Sequence, residues 1–256
     1  SSLLKVSSDG THLEHVFDET STPKTKKKRR GKNNNNNNNN LELRSIQPIT
    51  ENQRKVFEHY KNDMNLVLHG SAGTGKTFVA LYLALKEVLD PSNEKNRVYI
   101  IRSATQSKDM GFMPGNLKQK MAEYENPYRS ACRELFGRGD AYDILKQKGI
   151  IEFCSTSFLR GETFADAVVI VDEIQNAEFR EIHTVMTRIG DNSRIILSGD
   201  IKQNDLYKKN EVSGLPKAFE LIRRMDDCFA VVEFTIDDIV RSGLVKRWCE
   251  ELDKAS

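Results

Sequence analysis

Residues Gly70, Ser71, Ala72, Gly73, Thr74, Gly75, Lys76 and Thr77 fit the pattern G-x-x-x-x-G-K-[ST] without a mismatch. An apolar run, Asn65-Leu-Val-Leu-His69, leads in, and a helical run, Phe78-Val-Ala-Leu-Tyr-Leu-Ala-Leu-Lys-Glu87, follows. This is the strand–loop–helix order in which glycines let successive N–H groups turn inward onto phosphate oxygens. The positive end of the following helix adds to that field. Lys76 is placed to reach β- and γ-phosphates, and the Thr77 hydroxyl to ligate Mg2+. The pattern implies a nucleoside triphosphate, and it commits the chain to an α/β architecture.

The rest of the chain agrees. Apolar, β-branched runs recur at 98–101, 150–154, 167–171, 194–197 and 230–234, which with 65–69 makes about six strands. Helical patterns lie near 51–60, 76–90, 117–135, 178–189, 215–226 and 237–252, with Thr50 as the cap of the first. Continuous apolar strands alternating with helices predict a mostly parallel sheet with helices on both faces.

Residues 1–40 differ in kind. Lys24–Lys32 holds 7 basic residues in 9 positions, and eight asparagines follow at 33–40. Too little apolar surface is present to offset ordering entropy, so 1–40 is expected to be a disordered basic, poly-Asn arm ahead of a domain at 41–256. The arm has 8 basic and 4 acidic residues; of the totals of 39 and 37, the remainder keeps 31 basic against 33 acidic. Basic charge therefore sits in the arm, where it serves either loose phosphate contacts or a solvated linker. No apolar stretch approaches the ~18 residues of a membrane span, and no signal-peptide pattern is seen. Four separated cysteines suit reduced thiols, so a cytoplasmic protein without membrane partners is expected.

Two further strand ends carry chemistry. The run Ala167-Val-Val-Ile-Val closes on Asp172-Glu173. Ligands of such sheets collect at the carboxyl ends of the strands. There Asp172 would hold Mg2+ through its water shell, and Glu173 would polarise the attacking water. Arg194-Ile-Ile-Leu-Ser-Gly199-Asp200 is followed by Gln203, whose amide suits a sensor of the γ-phosphate. Upstream, Gln53 lies about 17 residues before the loop. Its amide can pair with the N6 and N7 edge of adenine, or be a solvated helix-start residue. Between the second and third strands, Tyr124 and Tyr128 stand among Lys118, Lys120 and Arg129. They suit stacking of single-stranded bases, or equally the packing of an amphipathic helix on the core.

Together these pieces resemble the PhoH-like family of ATPases over about residues 46–250. The resemblance rests on Gly70–Thr77, Gly111-Phe-Met-Pro-Gly115, Phe158-Leu-Arg-Gly161 and Val171-Asp-Glu-Ile-Gln-Asn176. It continues through Thr187-Arg-Ile-Gly190, Gly199-Asp-Ile-Lys-Gln203, Ser213-Gly-Leu215 and Asp238-Ile-Val-Arg241. Departures are Ile174 for the usual alanine, Ile201-Lys202 where Thr-Gln is more usual, and Glu162 where a basic residue is common. The family is similar to the nucleotide-binding half of superfamily-one helicases, a RecA-like P-loop fold.

The resemblance implies ATP and Mg2+, hydrolysis coupled to RNA or single-stranded DNA with RNA favoured, and a homo-oligomer such as a hexamer. An arginine at the transition state is also needed; Arg160, Arg188 and Arg241 are candidates, Arg241 foremost, from the same chain or a neighbouring subunit. The alternative is an ATP-dependent assembly switch acting on protein partners. A small-molecule kinase is disfavoured by Glu173 at the water-activating position.

Overall fold

The structure, a computed structural model, describes residues 41–103, 117–156, 159, 161, 163–201, 215–239, 247, 248 and 251. The expected arm, Arg160, Gln203 and Arg241 lie outside the described residues.

Six parallel strands form one sheet: β1 (Asn65–Gly70), β2 (Arg97–Arg102), β3 (Ile151–Ser155), β4 (Ala167–Asp172), β5 (Arg194–Gly199) and β6 (Phe229–Phe234). Their spatial order is β3-β2-β4-β5-β1-β6. Helices α1 (Glu51–Lys61), α2 (Lys76–Val88), α3 (Leu117–Phe136) and α4 (Ala141–Gln147) contribute to one core; α5 (Phe179–Met186) and α6 (Leu215–Arg223) contribute to the other.

Alternation along each strand divides the apolar residues between these cores. On β4, Val168 and Ile170 face the α2 side while Val169 and Val171 face α5 and α6. All six residues of β4 and of β5 are buried, which is why their sequences read as unbroken apolar runs. This is the RecA-like α/β fold.

Helix α1 begins at Thr50, whose side chain accepts from the Gln53 N–H while the Gln53 side chain accepts from the Thr50 backbone, a reciprocal cap. Two sequence expectations need correction. Helix α4 falls inside the 104–149 connection, where its seven residues were too few to show a period. The helix expected near 237–252 does not run from its first residue: Ile236–Asp238 is a short 3₁₀ turn, with Asp238 capping the Thr235 N–H at 2.7 Å, and Ile239 is extended, while residues 247, 248 and 251 are helical.

The end of β1 needs glycine for steric reasons. Gly70 has φ +129°, and a Cβ there would collide with the Phe234 carbonyl of β6, standing 2.8 Å from its carbon and closer still to its oxygen. Gly70→Ala should therefore lose at least about 3 kcal/mol of stability, from overpacking plus backbone strain. Gly73→Ala, at φ +81° with open space around it, should lose only about 1–2 kcal/mol. Urea midpoints of the two variants check this; equal losses would refute the steric account.

Candidate active site

The loop that leaves β1 folds back on its own lysine. The Lys76 ammonium donates to the carbonyls of Gly70 at 2.7 Å and Ser71 at 2.8 Å, and to the Thr74 hydroxyl at 3.3 Å. Burial lowers its pKa from the usual lysine value, opposed by the carboxylates of Asp200, Asp172 and Glu173. Gly75, at φ +87°, precedes α2 and has no side chain to cap it. The opening amides of α2 are thus left to whatever occupies the loop.

Two strand ends meet that loop. The register pairs His69 with Gly199 and Val171 with Leu197, so β1, β5 and β4 end at one edge of the sheet. The Thr77 hydroxyl lies 3.2 Å from each carboxylate oxygen of Asp172. Tyr128 of α3 donates its hydroxyl to Asp172 Oδ2 at 2.8 Å. Glu173 follows in the left-handed region, φ 55°, a strained turn that lifts its side chain off the strand axis. Its Oε2 accepts from the Gln175 amide, and its Oε1 lies 3.9 Å from the Arg102 guanidinium.

Gln175 uses both ends of its amide. While its nitrogen donates to Glu173, its oxygen accepts from the Asp200 N–H at 3.0 Å. The amide packs over Gly199, where a Cβ would meet Gln175 Oε1 at 2.5 Å. The glycine of the Gly-Asp pair is therefore the seat of a side chain that ties β4 to β5.

A cleft of about 490 Å³ runs over these groups, floored by Lys76, Thr77, Asp172, Glu173, Ser198 and Asp200 and walled by Pro127 and Ala131 of α3. A second cavity of about 320 Å³ shares Gly73, Gly75, Phe78 and Glu134 with it and is lined by Ile46, Ile49, Gln53, Phe57 and Tyr82. Phe57 and Tyr82 stack there at 5.8 Å, and the Tyr82 hydroxyl accepts from the Ile46 N–H at 3.1 Å. Gln53 Oε1 already accepts from the Ile49 N–H at 2.8 Å and the Thr50 N–H at 3.5 Å, which leaves its NH₂ for a further partner. Buried Asp238 accepts from Asn52 at 2.8 Å and from the Thr50 hydroxyl, fastening this wall to the segment after β6.

The structure thus brings Lys76, Thr77, Asp172 and Glu173 around one cleft, with Gln53 at the neighbouring cavity. Gln175, Arg102 and Asp238 were not assigned roles from sequence, and Tyr128 was read only as a stacking or core-packing aromatic. Gln175 and Asp238 stood inside the quoted motifs, which was the available signal. Tyr128, 1% exposed and packed on Phe153, is a core residue and not a stacking platform. Arg188 donates to the Leu159 carbonyl, a loop-holding contact.

A model of the PhoH-like protein family matches residues 45–253. The chain belongs to the PhoH-like family. It is 34% identical over 212 residues to the PhoH-like protein of Bacillus subtilis, covering 82% of this chain and 65% of that one. It is also 34% identical over 180 residues to Protein PhoH of Escherichia coli, covering 70% and 50%. It therefore spans between half and two-thirds of these curated relatives. Among solved structures, the large terminase of a thermophilic bacteriophage covers 80% of this PhoH-like chain and 50% of its own, at 16% identity and TM-score 0.48. The family and the loop make the chain a P-loop NTPase.

The oxygen donors suit Mg2+. The Asp172 carboxylate and the Thr77 hydroxyl meet at the cleft floor, and no group of three or more His, Cys, Asp or Glu able to hold a metal exists among the described residues. Mg2+ is commonly held by one or two carboxylates with water and substrate phosphates supplying the rest. Among the described residues, no helix is long and apolar enough to cross a membrane.

Proposed function

We propose that this PhoH-like chain binds Mg2+–ATP and hydrolyses its β–γ bond in a domain spanning 41–256, coupled to single-stranded nucleic acid with RNA preferred over DNA. The observation that carries the reading is the Thr77–Asp172 contact at 3.2 Å, with Glu173 the next residue along. The loop amides and Lys76 take the phosphates. Thr77 and Asp172 would hold the cation, which would supply positive charge against the phosphates. Glu173 orients the attacking water. Gln53 and the Phe57–Tyr82 cavity take the base. Gln203 senses the γ-phosphate and Arg241 stabilises the transition state, within the chain or across the interface of a homo-oligomer such as a hexamer.

The basic run Lys24–Lys32 supports phosphate contacts to a polymer. The free thiols Cys132, Cys154 and Cys228 suit the cytoplasm.

Steady-state ATP hydrolysis, measured alone and with single-stranded RNA, single-stranded DNA or duplex, tests the coupling. Single-stranded RNA should raise turnover at least severalfold. Turnover indifferent to all three polymers would transfer the reading to an assembly switch, in which Gln175 reports the state of Glu173 to the loop after Asp200. Added chelator should abolish hydrolysis.

A further inference from the structure

Helix α3 reaches Asp172 directly, and Glu173 by way of Arg102, at the floor of the cleft. The Tyr128 hydroxyl reaches Asp172 Oδ2 at 2.8 Å, in a place where the phenol is 1% exposed and Asp172 only 4% exposed. One helical turn before Tyr128 is Tyr124. Its ring centre lies 5.2 Å from the Arg102 guanidinium, which itself stands 3.9 Å from Glu173.

A phenylalanine would fill the same space against Phe153, so packing alone does not call for the hydroxyl. Its described partner is the carboxylate. With the phenol on Oδ2 and the Thr77 hydroxyl 3.2 Å from both oxygens, Oδ1 is the less occupied of the two and is left for a cation or its water shell.

We infer that α3 is a strut for the cation site, with Tyr128 the positioning residue that fixes the Asp172 carboxylate for Mg2+. The inference rests on the Mg2+–ATP reading above and adds a residue to it. Donor accounting supports it: the Tyr128 bond at 2.8 Å, with the Thr77 hydroxyl at 3.2 Å, restricts rotation of the buried carboxylate before the cation arrives. Mg2+ demands near-ideal octahedral geometry, whereas Ca2+ accepts irregular arrangements. A loosened carboxylate should therefore cost Mg2+ far more than Ca2+. A change of charge or of fold would affect both alike.

The test uses the full chain, wild type and Tyr128→Phe, and a fluorescent non-hydrolysable ATP analogue. Its affinity is measured in chelator and at rising Mg2+ or Ca2+. For Tyr128→Phe the Mg2+ concentration at half-effect should rise about tenfold, the scale of one hydrogen bond to a charged group. The Ca2+ value should move by less than about twofold, since that ion tolerates the looser ligand. Affinity in chelator should stay at the wild-type value. In an Asp172→Ala background, adding Tyr128→Phe should change nothing further.

An unchanged Mg2+ response overturns the inference and leaves the Mg2+–ATP reading standing. So does an equal shift for the two cations, or an added effect without Asp172. A wild type that binds the analogue no tighter with Mg2+ than in chelator overturns the Mg2+ reading and the inference with it.

Discussion

Lys76→Ala should weaken ATP binding by roughly a hundredfold or more. The ammonium sits inside the loop, bonded to the Gly70 and Ser71 carbonyls at 2.7 and 2.8 Å. Phosphate oxygens arriving in the loop offer it charged partners in place of these neutral ones. Two hydrogen bonds to charged groups are worth about 3 kcal/mol, which is roughly a hundredfold in Kd. The same contacts brace the loop, so the alanine variant also takes the ammonium from the Gly70 carbonyl, while the Ser71 carbonyl keeps the Thr74 hydroxyl at 2.9 Å. Lys76→Met keeps the stem and separates the two effects. If both variants lose ATP while the methionine variant keeps its urea midpoint, the loss belongs to the charge. Near-normal affinity in either variant would remove Lys76 from the phosphate site.

The sheet was legible in the sequence because burial on both faces leaves β4 and β5 with almost no polar position to break the run. Strand ends, too, were legible: Gly70, Asp172 and Gly199 are where apolar runs meet residues that a buried strand would not choose. Contacts between distant parts of the chain were hidden. Tyr128 and Asp172 are 44 positions apart, and only packing of α3 along the cleft joins them. In sequence, Tyr128 and Tyr124 look alike, two aromatics one helical turn apart among lysines and arginines. In the fold one is sealed in the core and the other is half-buried against Arg102. Gln175 was hidden for a different reason. Its motif was visible, but its geometry depends on the missing Cβ of Gly199, 24 residues later, which no spacing rule connects. Arg160, Gln203 and Arg241 fall outside the described residues, so their roles remain with the family resemblance.

Glu173→Gln should bind ATP as the wild type does yet turn it over about 10²- to 10⁴-fold more slowly, the range for loss of a positioned general base. Glutamine matches the side chain in size and keeps an oxygen for the Gln175 amide to donate to, so the bridge to Asp200 survives. The left-handed backbone at φ 55° costs glutamine about what it costs glutamate. What disappears is the negative charge, and with it the means to polarise water and the attraction to Arg102 at 3.9 Å. Both carboxylate oxygens of Glu173 have protein neighbours in this arrangement, Gln175 on one and Arg102 near the other. The carboxylate must share these oxygens with water when it acts. Arg102→Ala then becomes informative beside Glu173→Gln: freeing one oxygen should raise basal hydrolysis if the arginine restrains the base. Single-turnover hydrolysis and nucleotide affinity, measured on both variants, decide between restraint and assistance. Normal turnover in Glu173→Gln would take Glu173 out of the mechanism. A slow Arg102→Ala would instead make the arginine part of the catalytic charge.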